Sequence, residues 1–260
     1  MDGSRVILAA HRGDRFNFPE NTMPAFESAV KFGVDMIETD VRMTGDGELV
    51  LIHDRSALRT AGVDKNIDEM TLSEVMELDA GCTFTKPVKT GVPTVRELLD
   101  MIKNTDVLVN WELKVYPNDF DNAYEVADKL IALIEEYNMT EKSMMNSFSS
   151  KSLEYICKKY KNKFMIHGQG INNCRRSNDI PELSETEIFD WCCLYSDRAG
   201  MVALDFKENF DYCIENNIIP CLCIADDMDD YRKAVDYGCR MFTSNNIFEA
   251  ERILKELKVR

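Results

Sequence analysis

GVDMIETDVRMTGDGELVLIHD, residues 33–54, reads as one strand, a tight turn and a returning strand. Ile37, Thr39 and Val41 alternate with Glu38, Asp40 and Arg42, so two carboxylates share one face of a period-2 strand. Asp46-Gly47 is a hairpin signal, because a type I′ turn needs φ > 0 at both central positions. A two-residue turn there sets His53 opposite Asp40. A four-residue turn over residues 44–47 sets it opposite Glu38. Either register brings an imidazole beside two carboxylates. Ionisable groups facing a strand-rich core are costly unless they bind something. The hairpin is therefore the expected centre of a functional site.

Outward from it, strand and helix patterns alternate along the 260 residues. Strands are expected at 6–10, 35–42, 107–114, 143–147, 164–168, 201–205, 219–225 and 240–243, with the returning strand at 48–52. Helices are expected at 23–32, 95–103, 120–137, 151–160, 185–195, 208–215, 228–237 and 248–257. Such alternation implies a parallel sheet with crossover helices. Eight units in this length fit an α/β fold of the (β/α)8 TIM-barrel type, and no Gly-rich phosphate loop follows the first strand. The expectation is one domain over 1–260, with a small insertion at about 55–93 after the second-strand hairpin. Within it TLSEVMELD, residues 71–79, suggests a short helix with its N-cap near Thr71 or Ser73.

The net charge of −15 argues against nucleic acid or an anionic membrane surface as a partner. No apolar run reaches about 18 residues, so no stable membrane insertion is expected. The opening MDGSRVILAAHRG lacks a secretory-type apolar segment and cleavage site. Nine cysteines are scattered without a C-x-x-C pair. A reduced, cytoplasmic protein is expected, with Cys221 and Cys223 as buried core thiols on one strand face.

His11-Arg12-Gly13 closes the first strand, and in a barrel the C-terminal strand ends face the active site. His11 can therefore meet His53 across the mouth. Asn110, Glu112 and Lys114 share one face of their strand, with Trp111 and Leu113 on the other. Glu38, Asp40 and Glu112 offer three hard oxygen ligands, a set suited to one divalent cation, Mg²⁺ or Ca²⁺, with Mn²⁺ as a third choice. Three carboxylates and the two cations Arg12 and Lys114 leave a net charge of −1, which a divalent ion turns to +1, ready for a phosphodiester. Arg12 offers bidentate contact to phosphate oxygens and Lys114 a point charge. His11 and His53 can act as base and acid near neutral pH. A Schiff-base role for Lys114 would need a neutral amine, which three carboxylates disfavour. In Pro19-Glu20-Asn21-Thr22, Asn21 reads as the N-cap of the first helix and Gly33 as its stop, while Glu20 has the reach to orient a histidine or a ligand.

These residues resemble the glycerophosphodiester phosphodiesterase family. His11-Arg12-Gly13 with Pro19-Glu20-Asn21-Thr22 and Ala25-Phe26 is similar to its opening signature. Glu38-x-Asp40-Val41, Thr44-x-Asp46-Gly47 and Val50-x-x-His53-Asp54 resemble its second block. Val92-Pro93-Thr94, Glu97-Leu98-Leu99 and Asn110-x-Glu112-x-Lys114 resemble its third. The resemblance covers about the first 115 residues. It implies a (β/α)8 barrel with an insertion after His53 and a metal at Glu38, Asp40 and Glu112. It implies acid/base roles for His11 and His53, and phosphate contacts from Arg12 and Lys114. The substrate would be a small glycerophosphodiester, cleaved to glycerol 3-phosphate and an alcohol. Lysophospholipid cleavage of phospholipase D type, or a non-catalytic binding barrel, are the alternatives. The second half departs from the family: IPCLCIA stands where a Trp-bearing strand is usual, and Thr243-Ser244-Asn245-Asn246 replaces Thr-Asp-x-Pro.

Overall fold

The computed structural model describes residues 5–86, 88–115, 120–160, 163–170, 180–195, 206–224 and 228–260. Its frame is a closed barrel of eight parallel strands: β1 (Ile7–His11), β2 (Met36–Met43), β4 (Leu108–Leu113), β5 (Ser143–Ser147), β6 (Met165–Gln169), β7 (Trp191–Tyr195), β8 (Ile219–Cys223) and β9 (Met241–Ser244). β9 pairs with β1, and β1 with β2, which closes the ring as a TIM barrel. A short strand, β3 (Leu49–Leu51), is added antiparallel to the end of β2.

Alternation along the strands sorts the side chains. Ile7, Ala9, Met36, Met144, Trp191, Cys221 and Met241 point inward and pack as an apolar floor. Leu8, Ile37, Val109, Trp111, Ile166, Leu194 and Phe242 point outward into a larger cluster against the helices. Trp111 is fully buried there, and its indole N–H donates to Ser143 Oγ at 3.0 Å. Burying each such side chain contributes roughly 2–3 kcal/mol. The inward positions above the floor are polar: His11, Glu38, Asp40, Asn110, Glu112, Asn146, His167, Gln169 and Thr243. A barrel core is normally filled with branched apolar residues, so a polar upper layer at the C-terminal strand ends marks a site.

Among the helices, α1 (Met23–Phe32) opens with proline in its first turn and stops at Gly33, whose φ of 91° few other residues adopt. The segment after β3 carries α2 (Leu58–Ala61), a 3-10 turn at Ile67–Glu69 and α3 (Leu72–Met76). Thr71 caps α3 in a capping box with Glu74. Val50, Ile52, Ala57, Ile67, Met70, Val75, Leu78 and Val92 give this segment an apolar core of its own. Around the barrel run α4 (Val95–Ile102), α5 (Phe120–Glu136), α6 (Ser150–Tyr160), α8 (Phe206–Glu215), α9 (Met228–Asp236) and α10 (Ile247–Glu256). Among the described residues no helix is long and apolar enough to cross a membrane.

Two sequence expectations are corrected. The helix expected at 185–195 is only α7 (Glu185–Ile188), and Trp191–Tyr195 is the strand that takes the sixth place in the barrel. A short apolar run buried on both faces carries no period to tell strand from helix. The strand expected at 201–205 lies outside the described residues. The β2–β3 turn is neither of the two registers expected. Val41 pairs with Leu51 and Met43 with Leu49. Gly47 N–H donates to Thr44 O at 3.0 Å, Thr44 N–H to Glu48 O at 2.9 Å, and Gly47 has φ 88°. That is a three-residue loop with its last residue left-handed. It places Asp40 across from Ile52, not His53.

Candidate active site

His53 nonetheless reaches the mouth, because the chain leaves the sheet after Leu51. His11, Arg12, Glu38, His53, Glu112 and Lys114 all line one cavity of about 200 Å³, which Asn146, Phe148, Gln169, Cys223, Ile224 and Thr243 complete. A larger cleft of about 460 Å³ lies at the opposite end, against the starts of β5 and β6. It holds none of these groups, and barrel chemistry sits at the other face.

Glu38 and Glu112 line the cavity, and Asp40 is fully buried beside them. Glu38, Asp40 and Glu112 each offer an oxygen, and these oxygens lie within 4.8 Å of one another. Their strands force this: Asp40 and Glu112 are paired neighbours in the parallel β2–β4 ladder, and Glu38 is two residues back on the same face. Burial first, then the charges of Asp40 and Glu112, pushes Glu38 far above the usual carboxyl range. Glu112 is also raised, chiefly by burial, against the pull of Lys114. Burial would raise Asp40 too, but Lys114 and Arg12 outweigh it and hold that carboxyl below its ordinary value. Glu38 Oε1 is buried with no hydrogen-bond partner. An all-oxygen group with a lone-pair donor to spare is what a hard divalent cation takes up, so this group could hold a metal ion.

Two cations enclose the carboxylates. Lys114 Nζ lies 3.0 Å from Asp40 Oδ1 and also bonds Glu112 Oε1. Asp40 and Glu112 raise its pKa despite burial, so the amine stays charged. Arg12 Nε lies 3.1 Å from Asp40 Oδ2, and Arg12 Nη1 donates to Glu20 Oε1 at 2.8 Å. The turn that aims it is tight: Arg12 has φ 58°, Gly13 has φ 77°, and a Cβ on Gly13 would lie 2.8 Å from the Ala25 backbone.

The imidazoles have unlike partners. His11 Nδ1 is 2.7 Å from Asn245 Oδ1, and His11 Nε2 is 3.9 Å from Glu38 Oε2. Arg15 Nη1 also approaches Nδ1, at 3.3 Å, so the ring is gripped at this nitrogen while Nε2 faces Glu38. Burial, then the charges of Arg12 and Arg15, holds the pKa of His11 down to about 3. His53 Nδ1 is 2.6 Å from Asp54 Oδ1. Burial lowers its pKa first, with Lys114 and Arg12 adding to this, while Asp40 and Asp54 oppose.

Several partners escaped the sequence reading. Asn21 does not cap α1. It sits at φ 54°, donates from Nδ2 to Asp40 Oδ2 at 2.7 Å, and accepts from Thr39 Oγ1 at 2.8 Å. Thr22 takes the N-cap place. Glu20 touches no histidine. It binds Arg12, Arg15 and Arg59, which together outweigh its burial and hold its pKa to about 2. Cys221 is a buried core thiol as expected, but Cys223 is half-buried and opens on the cavity. Asp54, adjacent to His53, was open to notice as its partner. Asn245 was not, since it is 234 residues from His11 in the chain.

Known proteins bear on this geometry. The model of the glycerophosphoryl diester phosphodiesterase family matches residues 11–188. A glycerophosphodiester phosphodiesterase of Caldanaerobacter subterraneus is 40% identical over 159 residues, 59% of this chain and 63% of that protein. The match thus spans less than two thirds of the relative's own length. A glycerophosphodiester phosphodiesterase structure from Thermotoga maritima superposes with TM-score 0.71 at 23% identity, covering 98% of this chain and 99% of that one. An Oleispira antarctica phosphodiesterase, solved with the product sn-glycerol-3-phosphate, gives TM-score 0.80 at 19% identity, covering 96% of each. At these identities the two structures establish the fold alone.

Proposed function

Because the chain belongs to the glycerophosphoryl diester phosphodiesterase family, we propose that it hydrolyses small glycerophosphodiesters to glycerol 3-phosphate and an alcohol. The observation that carries this is the convergence of three buried carboxylates, Arg12, Lys114 and two imidazoles on one cavity. Glu38, Asp40 and Glu112 would hold one divalent cation, Mg²⁺ or Ca²⁺ before Mn²⁺. When bound it supplies Lewis-acid stabilisation of the phosphate and offsets the charge that would otherwise repel an anion. Arg12 and Lys114 bind phosphate oxygens from opposite sides of Asp40 and orient the phosphorus between His11 and His53. One imidazole takes a proton from the attacking nucleophile, water or a neighbouring glycerol hydroxyl, and the other gives one to the departing alkoxide; the hydroxyl route leaves a cyclic phosphate that water then opens. Asn245 holds the ring of His11 in place, and Asp54 holds the Nδ1–H tautomer of His53. The chain acts as one domain, with the segment at about 55–93 closing over the site. The scattered spacing of the nine cysteines, without a C-x-x-C pair, supports a reducing, cytoplasmic setting.

The test is release of glycerol 3-phosphate from glycerophosphocholine and glycerophosphoethanolamine, with EDTA and then with Mg²⁺, Ca²⁺ and Mn²⁺ added back. Loss with EDTA and recovery with one ion supports the reading. No turnover with any ion on either diester sinks it. Phe148, 40% exposed at the cavity wall, favours a second reading in which an acyl chain lies across it. Turnover of lysophospholipids that rises with chain length, at the expense of the water-soluble diesters, would select that one.

A further inference from the structure

We propose that Arg59, on α2 of the 55–93 segment, is a positioning residue that holds both His53 and Arg12 in place. This rests on the phosphodiesterase reading above. Arg59 Nε lies 2.5 Å from Asp54 Oδ2, and Nη2 lies 2.5 Å from Glu20 Oε1 and 3.3 Å from Asp54 Oδ1. Each carboxylate then reaches a cavity residue. Asp54 accepts from His53 Nδ1 at 2.6 Å, and Glu20 accepts from Arg12 Nη1 at 2.8 Å. From the hydrogen bond of His53 to Asp54, charges alternate without a gap through Asp54, Arg59, Glu20 and Arg12 to Asp40. One planar guanidinium joins the two arms, a task a point-charge ammonium cannot perform equally well.

The bland alternative is a surface ion pair, since the Arg59 side chain is 47% exposed. Such pairs add little. Three observations speak for more. Glu20 is nearly buried, with a side chain only 8% exposed. The Arg59 hydrogen bonds lead the forces that hold Glu20 and Asp54 ionised against their burial. The backbone that carries Arg59 is fastened from the far end of the segment: Thr83 Oγ1 donates to Arg59 O at 2.8 Å, and Ala57 and Ile67 anchor α2 in the segment's own core. Folding of residues 55–93 thus delivers one guanidinium to two carboxylates that face the chemistry. The segment need not touch substrate to govern turnover.

The test compares Arg59→Met, which keeps the aliphatic stem, with Arg59→Lys. For Arg59→Met we expect kcat to fall about 10- to 100-fold and KM to rise a few-fold, with an unchanged circular dichroism spectrum and a melting temperature lowered by only several degrees. Arg59→Lys should recover part of kcat. In a double-mutant cycle, Asp54→Asn should cost far less in the Arg59→Met background than alone, because both act through His53. A second readout needs no turnover. In the ¹⁵N-histidine-labelled protein, His53 should be a single Nδ1–H tautomer in the wild type and a mixture in Arg59→Met, with Asp54→Asn as the reference for a freed ring. Activity within twofold of wild type, an unaltered His53 tautomer or additive costs in the cycle would overturn the proposal. If the wild type cleaves no diester, the phosphodiesterase reading fails, and the tautomer measurement alone decides the clamp.

Discussion

The mouth of the barrel has two unlike walls. β1, β2 and β4, with the loops between them, bring Arg12, Glu38, Asp40, His53, Glu112 and Lys114 to one side. β5, β6, β8 and β9 bring Asn146, Gln169, Cys223 and Thr243 to the other, with Phe148 and Ile224. The charged wall is dense with mutual contacts, and nearly every group on it has its protonation displaced by a neighbour or by burial. On the neutral wall Gln169 Nε2 donates to Asn146 Oδ1 at 2.7 Å, a link between two uncharged amides. The difference separates two tasks. Charge must be fixed where charge develops during reaction. Where only an alcohol is held, neutral donors and apolar surface suffice, and these can vary without disturbing the chemistry.

The heaviest blow to that division falls on the carboxylates. Glu112→Ala or Glu38→Ala should lower turnover by about three orders of magnitude or more. Either should also abolish the heat of divalent-ion binding in titration calorimetry. A variant that keeps turnover within tenfold would show that the charged wall is not the seat of chemistry. The histidines come next. His11→Ala and His53→Ala should each reduce kcat by roughly 10²–10⁴, the range for a positioned acid or base, while circular dichroism and melting temperature stay near wild type. Near-normal activity in either would remove that imidazole from the mechanism.

The two walls were also unequally legible in the sequence. Glu38, Asp40 and Glu112 could be gathered from period-2 alternation alone, because adjacent parallel strands keep a fixed register. His11 and Arg12 followed from their place at a strand end. His53 was found for a reason the structure corrects: the expected pairing put it across from a carboxylate, whereas the three-residue turn shifts the register and the departing chain brings it in. Turn length is set by which residue adopts φ > 0, and Asp46-Gly47 leaves that open between Gly47 alone and both. The neutral wall gave no such signal. Asn146, Gln169 and Asn245 are ordinary polar residues, far apart in the chain, that meet only when the ring closes. Trp191–Tyr195 was mistaken for helix because an apolar strand buried on both faces has no period to read.

A smaller effect sharpens how the charged wall is held. Glu20 is kept to about 2 by Arg59, Arg12 and Arg15, against an ordinary value of 4.5. A depressed carboxyl contributes stability above its unfolded pKa, and this is lost as pH falls from there through the folded value. The shift corresponds to on the order of 3 kcal/mol. Glu20→Gln mimics the protonated acid. Its stability deficit in urea unfolding should be full above about pH 4.5, shrink steadily below that, and vanish near pH 2. A deficit that does not change with pH would mean that shape, not charge, is what Glu20 supplies.

The least effect is expected on the neutral wall. Gln169→Leu removes an amide while nearly keeping its volume, and it leaves Asn146 without its partner at 2.7 Å. Losing one neutral hydrogen bond is worth about 1 kcal/mol, so KM should change no more than about tenfold, unequally for choline and ethanolamine esters. kcat should stay within twofold. An unequal KM with steady kcat would assign this wall to the leaving alcohol. A collapse of kcat comparable with that of the histidine variants would join the two walls into one catalytic unit. The neutral residues would then be organising charge rather than selecting an alcohol.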